Sequence, residues 1–363
     1  MRRYRIDFAL IVLTGNLTRY LVTRPLVEQD PGVLARWYPI RTWVQGDFLR
    51  VLPGWLRVRV RHLLDSRMLY LRRPAQAVVI HAFETYYLYT LLTRVLRRNT
   101  VIINNPDGTL GDRLSKGLSA WLMSQAVRRT DLIVPWSRYA ADSIAANYPW
   151  LASKEIMVLH PGIDLARWPF RGIKVPGERF RLLFVAGDLV LKGADTLLDA
   201  FERYLSTHCD LHLATQSGYL PADLERRIRG MPRVTLYLDL TPASDALRAL
   251  FRECDAFVLP TNRDTSSWVA IEALATGLPV VISPHGGIPD IVRDEETGLH
   301  IPPRDPEALA AAVERLRLDT ALRERLVTQG RAHIEQHFDA VTNTNRLLLR
   351  IKQLIDAREA SQV

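Results

Sequence analysis

The apolar residues of this chain fall into short unbroken blocks separated by stretches with helical spacing. In the first half, blocks that read as buried strands lie at Ile6–Thr14, Ala77–Ile80, Thr100–Ile103, Leu132–Val134 and Ile156–Leu159. Helical patterns sit between them at Thr85–Arg97 and Leu114–Arg128, and the Arg-, Trp- and Pro-rich stretch Arg19–Arg61 reads as irregular. The second half restarts the rhythm with strands at Arg181–Ala186, Leu211–Ala214, Val234–Tyr237, Ala256–Leu259 and Pro279–Ile282. Its helices are expected at Lys192–Tyr204, with Leu197, Leu198 and Phe201 on the apolar face, at Ala243–Phe251, and ahead of Gly277. Unbroken apolar runs alternating with helices suit parallel βαβ units, because both faces of a parallel sheet are covered. The pattern therefore predicts an α/β chain of two facing Rossmann-like domains with parallel sheets, residues 1–170 and 171–340, joined near Trp168–Gly177. An amphipathic helix follows over Ala340–Glu359.

Length agrees with two domains, since 363 residues exceed what one hydrophobic core usually supports. With 48% hydrophobic and 24% charged residues the composition is that of an ordinary globular protein. The start, MRRYRIDFALIVLTGN, imitates a short signal peptide. Asp7 interrupts it and no small-x-small cleavage site follows, so it reads better as a first buried strand ending at Gly15. No run approaches the length of a membrane helix. Cys209 and Cys254 match neither a metal spacing nor a disulfide framework, which favours a reducing, cytoplasmic setting.

Charge changes the picture by its placement. Residues 1–170 hold 24 Lys and Arg against 12 Asp and Glu, whereas the remainder holds 24 against 27. Seven of the eight tryptophans also lie in the first 170 residues, which implies different partners for the two halves. The segment Trp37–Arg73 interleaves Arg41, Arg50, Arg57, Arg59, Arg61, Arg67, Arg72 and Arg73 with Trp43 and Trp55. Such a mixture suits an anionic membrane surface or a phosphorylated acceptor, or is a solvated surface anchored by tryptophan. No zinc-ligand spacing or nucleic-acid module accompanies it, so no nucleic-acid partner is expected.

Two segments carry candidate chemistry. Ala256–Asp305 runs from a strand through a polar loop into a helix, with acids at Asp264 and Glu272 eight positions apart. In a doubly wound sheet such loops form the ligand crevice, and a helix start attracts phosphate through its unpaired amides and dipole. Phe184–Gly193 reads F-V-A-G-D-L-V-L-K-G: Gly187 lets backbone approach a phosphate, and Lys192 can neutralise a leaving diphosphate. No G-x-G-x-x-G follows a strand, and there is no Walker motif, H-E-x-x-H, nucleophile elbow or Asp-x-Asp. A dehydrogenase is thereby disfavoured and no metal is expected.

The acid pair followed by A-L-A-T-G-L-P-V-V (273–281) resembles the donor half of the retaining family 4 glycosyltransferases, the glycosyl transferases group 1, which have the GT-B fold. The resemblance is strong over Phe180–Leu316 and architectural only before that. It implies transfer of a sugar from a nucleoside diphosphate sugar to a glycan, lipid-linked or other anionic acceptor. The acceptor would lie on the first domain, and residues 341–363 would pack back on that domain. By the same resemblance Asp264 approaches the transferred sugar and Glu272 the ribose. Gly187, Lys192 and the amides at Ser267 and Trp268 take the diphosphate. Asp188 stands where the family has Arg, and Arg263 is the candidate for the missing cation. Gly15 and Asn16 match a glycine loop between donor and acceptor. His81, in V-I-H-A-F-E, and Asn105 and Asp107, where relatives have a His, are the first-domain candidates. His160-Pro-Gly-Ile-Asp164 resembles an element that shapes the interdomain cleft. The implied cofactor list is empty, the nucleotide-sugar being a co-substrate, and the implied location is the cytoplasm, peripheral to the membrane. A sugar-nucleotide epimerase of this fold and a non-catalytic docking scaffold are the alternatives.

Overall fold

A computed structural model describes residues 3–12, 24–41, 75–81, 87–96, 99–105, 118–149, 151, 154–242 and 244–362. The chain divides into two compact units, residues 1–162 with 340–363, and residues 163–339.

The first unit is a five-stranded parallel sheet in the order β2-β1-β3-β4-β5. Its strands are β1 (Tyr4–Val12), β2 (Val33–Arg41), β3 (Ala77–His81), β4 (Val101–Asn105) and β5 (Leu132–Ile133). Helices α1 (Tyr87–Leu96), α2 (Leu118–Arg129) and α3 (Arg138–Asn147) follow β3, β4 and β5. The apolar runs predict β1, β3, β4 and β5. They miss β2, which lies inside the stretch read as irregular. Arg36, Pro39 and Arg41 interrupt its apolar positions, and it tolerates them as the edge strand of the sheet. The strand expected at Ile156–Leu159 is instead a single bridge, Ile133 to Ile156, with Met157 N donating to Ile133 O at 2.9 Å.

A helix from the far end of the chain, α11 (Ala340–Ala360), completes this core. Its Leu347, Leu348, Ile351 and Ile355 pack with Ile6, Val79, Ile103 and Leu132. Lys352 pairs with Asp30 at 2.6 Å and Arg358 with Asp131 at 2.5 Å, while Tyr4 Oη donates to Asp356 at 3.0 Å. Gly162, in the His160–Asp164 element, is required here: a Cβ at that position would lie 2.4 Å from Ala340 Cα.

The second unit is a six-stranded parallel sheet in the order β11-β10-β9-β6-β7-β8. The strands are β6 (Phe180–Val185), β7 (Cys209–Thr215), β8 (Val234–Leu238), β9 (Ala256–Leu259), β10 (Val280–Ile282) and β11 (Leu299–His300). Between them run α4 (Ala194–Ala200), continuing as a π turn to Leu205, then α5 (Ala222–Gly230), α6 (Asp245–Glu253), α7 (Trp268–Thr276) and the short α8 (Ile288–Ile291). Helices α9 (Pro306–Leu318) and α10 (Thr320–His337) close the unit.

Counted within this unit, the strands follow the Rossmann order, and the order reverses between β6 and β9. Local signals place the helices. Ser244 and Asp305 cap α6 and α9 by accepting from Leu247 N at 3.2 Å and Ala308 N at 2.9 Å. Gly277, at φ 88°, ends α7 and donates to both Ala273 O and Leu274 O. Both units are therefore parallel-sheet α/β units, as the apolar pattern predicts. Among the described residues, no helix is long and apolar enough to cross a membrane.

Candidate active site

The β6–α4 and β9–α7 loops leave adjacent strands at the point where the strand order reverses, which is where open α/β sheets bind ligands. They are locked together. Leu191 O accepts from Asn262 N at 3.0 Å and from Thr261 Oγ1 at 3.3 Å, and Val190 O accepts from Asn262 Nδ2 at 3.1 Å. Gly193, at φ 77°, passes so close to the end of β9 that a Cβ would lie 1.9 Å from Pro260 O.

This lock brings together the two charges singled out from the sequence. Lys192 Nζ meets Asp264 Oδ2 at 2.5 Å, with the carboxylate side chain 7% exposed and the ammonium-bearing one 22%. Asp264 Oδ1 is held on its own loop by Thr265 N at 2.9 Å and Ser266 N at 3.3 Å. Apart from the Lys192 ammonium, Asp264 Oδ2 has no hydrogen-bond partner.

Ser267 occupies the N-cap of α7 in an extended conformation, 3% exposed, and its Oγ makes no capping bond and has no partner. Helix geometry leaves the first amides of α7 without intrahelical acceptors, so this end of the helix favours an anion. Trp268 begins the helix and is partly buried, as is Glu272 one turn further on. Gly187 is exposed, and a Cβ added there would meet open space.

Asp188 is exposed and serves its own turn, with Oδ1 accepting from Leu191 N at 2.9 Å. Arg263 is exposed on the β9–α7 loop. In the first unit, His81 and Asn105 close β3 and β4 and are paired in register. Gly15, Asn16 and Asp107 lie outside the described residues, as does the Arg/Trp segment beyond Arg41. No three His, Cys, Asp or Glu residues gather into a metal-binding group among the described residues.

A third loop, missed in the sequence reading, joins the site. The β10–α8 loop presses Gly286 onto Asp264: at φ 56° its Cβ would lie 2.3 Å from Asp264 O. Gly287 N donates to Thr265 O at 2.9 Å. Ser283 Oγ and His285 Nε2 on this loop are sheltered from water and lack hydrogen-bond partners. The available signal was the Gly286-Gly287 pair directly after a buried strand. Ser267 Oγ, Ser283 Oγ and His285 Nε2 thus lie without partners on the loops that follow β9 and β10, at one end of the sheet. Each such atom costs about 1–3 kcal/mol, which makes these loops the candidate site for a polar ligand.

Comparison with known proteins bears on the family and the fold. The family model for glycosyl transferases group 1 matches residues 179–319, which is most of the second unit. A glycogen synthase of Mycobacterium tuberculosis is 32% identical over 292 residues, covering 76% of this chain and 69% of its own. The chain belongs to the glycosyl transferases group 1. A D-inositol 3-phosphate glycosyltransferase of Geodermatophilus obscurus is 29% identical over 249 residues, covering 64% of this chain and 54% of its own. Among solved structures, the sucrose-phosphate synthase of Thermosynechococcus elongatus superposes with a TM-score of 0.73 over 98% of this chain and 100% of that one, at 18% identity. Anabaena HepE in complex with UDP and glucose gives 0.69 over 96% and 100%, at 14% identity. The glycosyltransferase thus has the GT-B type of fold, two parallel-sheet Rossmann-like domains.

Proposed function

We propose that this glycosyltransferase takes its sugar from a nucleoside diphosphate sugar held by the second unit. The Lys192–Asp264 pair at the strand-order reversal carries the reading, because it sets a cation and an acid beside the start of α7, where Ser267 Oγ has no partner. In this reading Lys192 and the first amides of α7 balance the charge of the leaving diphosphate. Glu272 holds the ribose, and Asp264 accepts hydrogen bonds from hydroxyls of the transferred sugar. Open space in front of Gly187 admits the phosphates. Arg263 supplies a second cation where Asp188 cannot.

No metal takes part, and the anomeric configuration is retained. The leaving phosphate assists removal of the acceptor proton from the same face of the sugar, and positioning and electrostatic preorganisation supply the rate. The acceptor is a glycan, a lipid-linked saccharide or another anionic molecule bound by the basic first unit, at the cytoplasmic face of a membrane. His81 and Asn105, which end adjacent strands there, are its candidate contacts.

The test is a thermal-shift panel of UDP-, GDP- and ADP-sugars. At a concentration of about 100 Kd a true donor adds about 2.7 kcal/mol of stability, or roughly 5–10 °C for a unit of this size. Glu272→Ala is expected to abolish the shift. Equal shifts in parent and variant, or no shift with any nucleotide-sugar, would refute the assignment. Donor turnover with and without a saccharide acceptor distinguishes transfer from epimerisation.

A further inference from the structure

His285 stands apart from other histidines of the second unit. His212 places Nδ1 on Tyr237 Oη at 2.9 Å, His300 places Nε2 on Val292 O at 2.8 Å, and His333 places Nε2 on Asp290 O at 2.9 Å. His285 Nε2 is sheltered from water and has no hydrogen-bond partner. The backbone around it is fixed on both sides, since His285 N donates to Ser283 O at 2.9 Å and Ile288 N to His285 O at 3.0 Å. The next residue, Gly286, rests against the Asp264 carbonyl, and Gly287 is bonded to Thr265. The loop therefore carries an unsatisfied imidazole nitrogen on the residue before the glycine that packs on the backbone of Asp264, the acid that the donor reading assigns to the sugar.

We infer that His285 is a sugar-selecting residue of the donor site, pairing through Nε2 with a hydroxyl of the transferred monosaccharide. This rests on the donor reading given above. A neutral imidazole has one donor and one acceptor nitrogen, and a hydroxyl both donates and accepts, so the pair forms with either tautomer. A phosphate oxygen only accepts, and the diphosphate already has Lys192 and the start of α7. Ser283 Oγ, fully buried and also unpaired two residues earlier, gives the same loop a second polar group. Contact with the sugar rather than the nucleotide makes a specific pattern. Removing the imidazole weakens ligands that carry the monosaccharide and leaves bare nucleotides alone.

Calorimetric titration of the full chain tests this, with UDP, GDP and ADP beside UDP-glucose, UDP-galactose, GDP-mannose and ADP-glucose. For His285→Ala the Kd of the best bare nucleoside diphosphate is expected to stay within about twofold of the parent, which also shows that the site is still folded. The Kd of the matching nucleotide-sugar should rise about tenfold, and His285→Gln, which keeps a side-chain amide, should recover part of the loss. Equal weakening of both ligand classes, or of neither, overturns the inference while leaving the donor reading in place. A parent chain that binds no nucleotide and no nucleotide-sugar sinks both.

Discussion

Replacing Asp264 with Asn should make the protein less stable and yet better at holding a bare nucleoside diphosphate. The carboxylate is 7% exposed and meets Lys192 at 2.5 Å, so the pair is sheltered rather than superficial. Two unit charges about 4 Å apart in a medium of effective dielectric near 20 attract by about 4 kcal/mol. Partial exposure of the ammonium and the desolvation of both groups remove roughly half, leaving about 2 kcal/mol of net coupling. Asn retains an oxygen to accept from Thr265 N, so the loop keeps its shape and the loss is chiefly Coulombic. Calorimetric unfolding should therefore show a Tm lower by about 4–8 °C. On the proposed donor reading, a diphosphate draws Lys192 away from Asp264 in the parent, whereas in the variant the ammonium is already available. The Kd for UDP, GDP or ADP is then expected to fall about tenfold, equivalent to about 1.4 kcal/mol, while sugar transfer is lost. General damage to the site would lower stability and affinity together. A lowered Tm with unchanged or weaker nucleotide binding would refute the idea that Lys192 serves both the acid and the diphosphate.

Two further outcomes follow from the same unit. Gly193→Ala forces a Cβ into Pro260 O at φ 77° and should cost about 3 kcal/mol or more, whereas Gly187→Ala faces open space and should leave the Tm within about 1 °C; equal melting of the two variants would show that the loops are not locked as described. Burial pushes the thiols of Cys209 and Cys254 up to about 12, so at pH 8 neither should react with a thiol reagent until the protein is unfolded by denaturant, and fast labelling of the native chain would contradict their burial.

The sequence was most legible where physics leaves a repeated mark. Ala256–Leu259 is an unbroken apolar run because β9 is central and covered on both faces, and its predicted bounds coincide with the strand. β2 was illegible because an edge strand need not be apolar throughout, and Arg36, Pro39 and Arg41 hide its period. Lys192 and Asp264 could each be picked out as chemistry beside a glycine turn or a helix start. Their pairing could not, since it depends on Thr261 and Asn262 bonding to the carbonyls of Leu191 and Val190, contacts that span about seventy positions. Asp188 stands where the family resemblance implies a cation, whereas its carboxylate carries a local turn that no spacing rule reveals. His285 is not legible in the sequence because a single histidine after a strand has no periodicity, and only its missing partner distinguishes it.

The long final helix has a temporal consequence. The second unit is drawn from one contiguous stretch, residues 163–339, and can close as soon as that stretch has left the ribosome. The first unit cannot, because Leu347, Leu348, Ile351 and Ile355 are synthesised after everything else in its interior and after the whole of its neighbour. The half of the enzyme that is translated first is thus the half whose interior is completed only by a helix translated after the whole of the other.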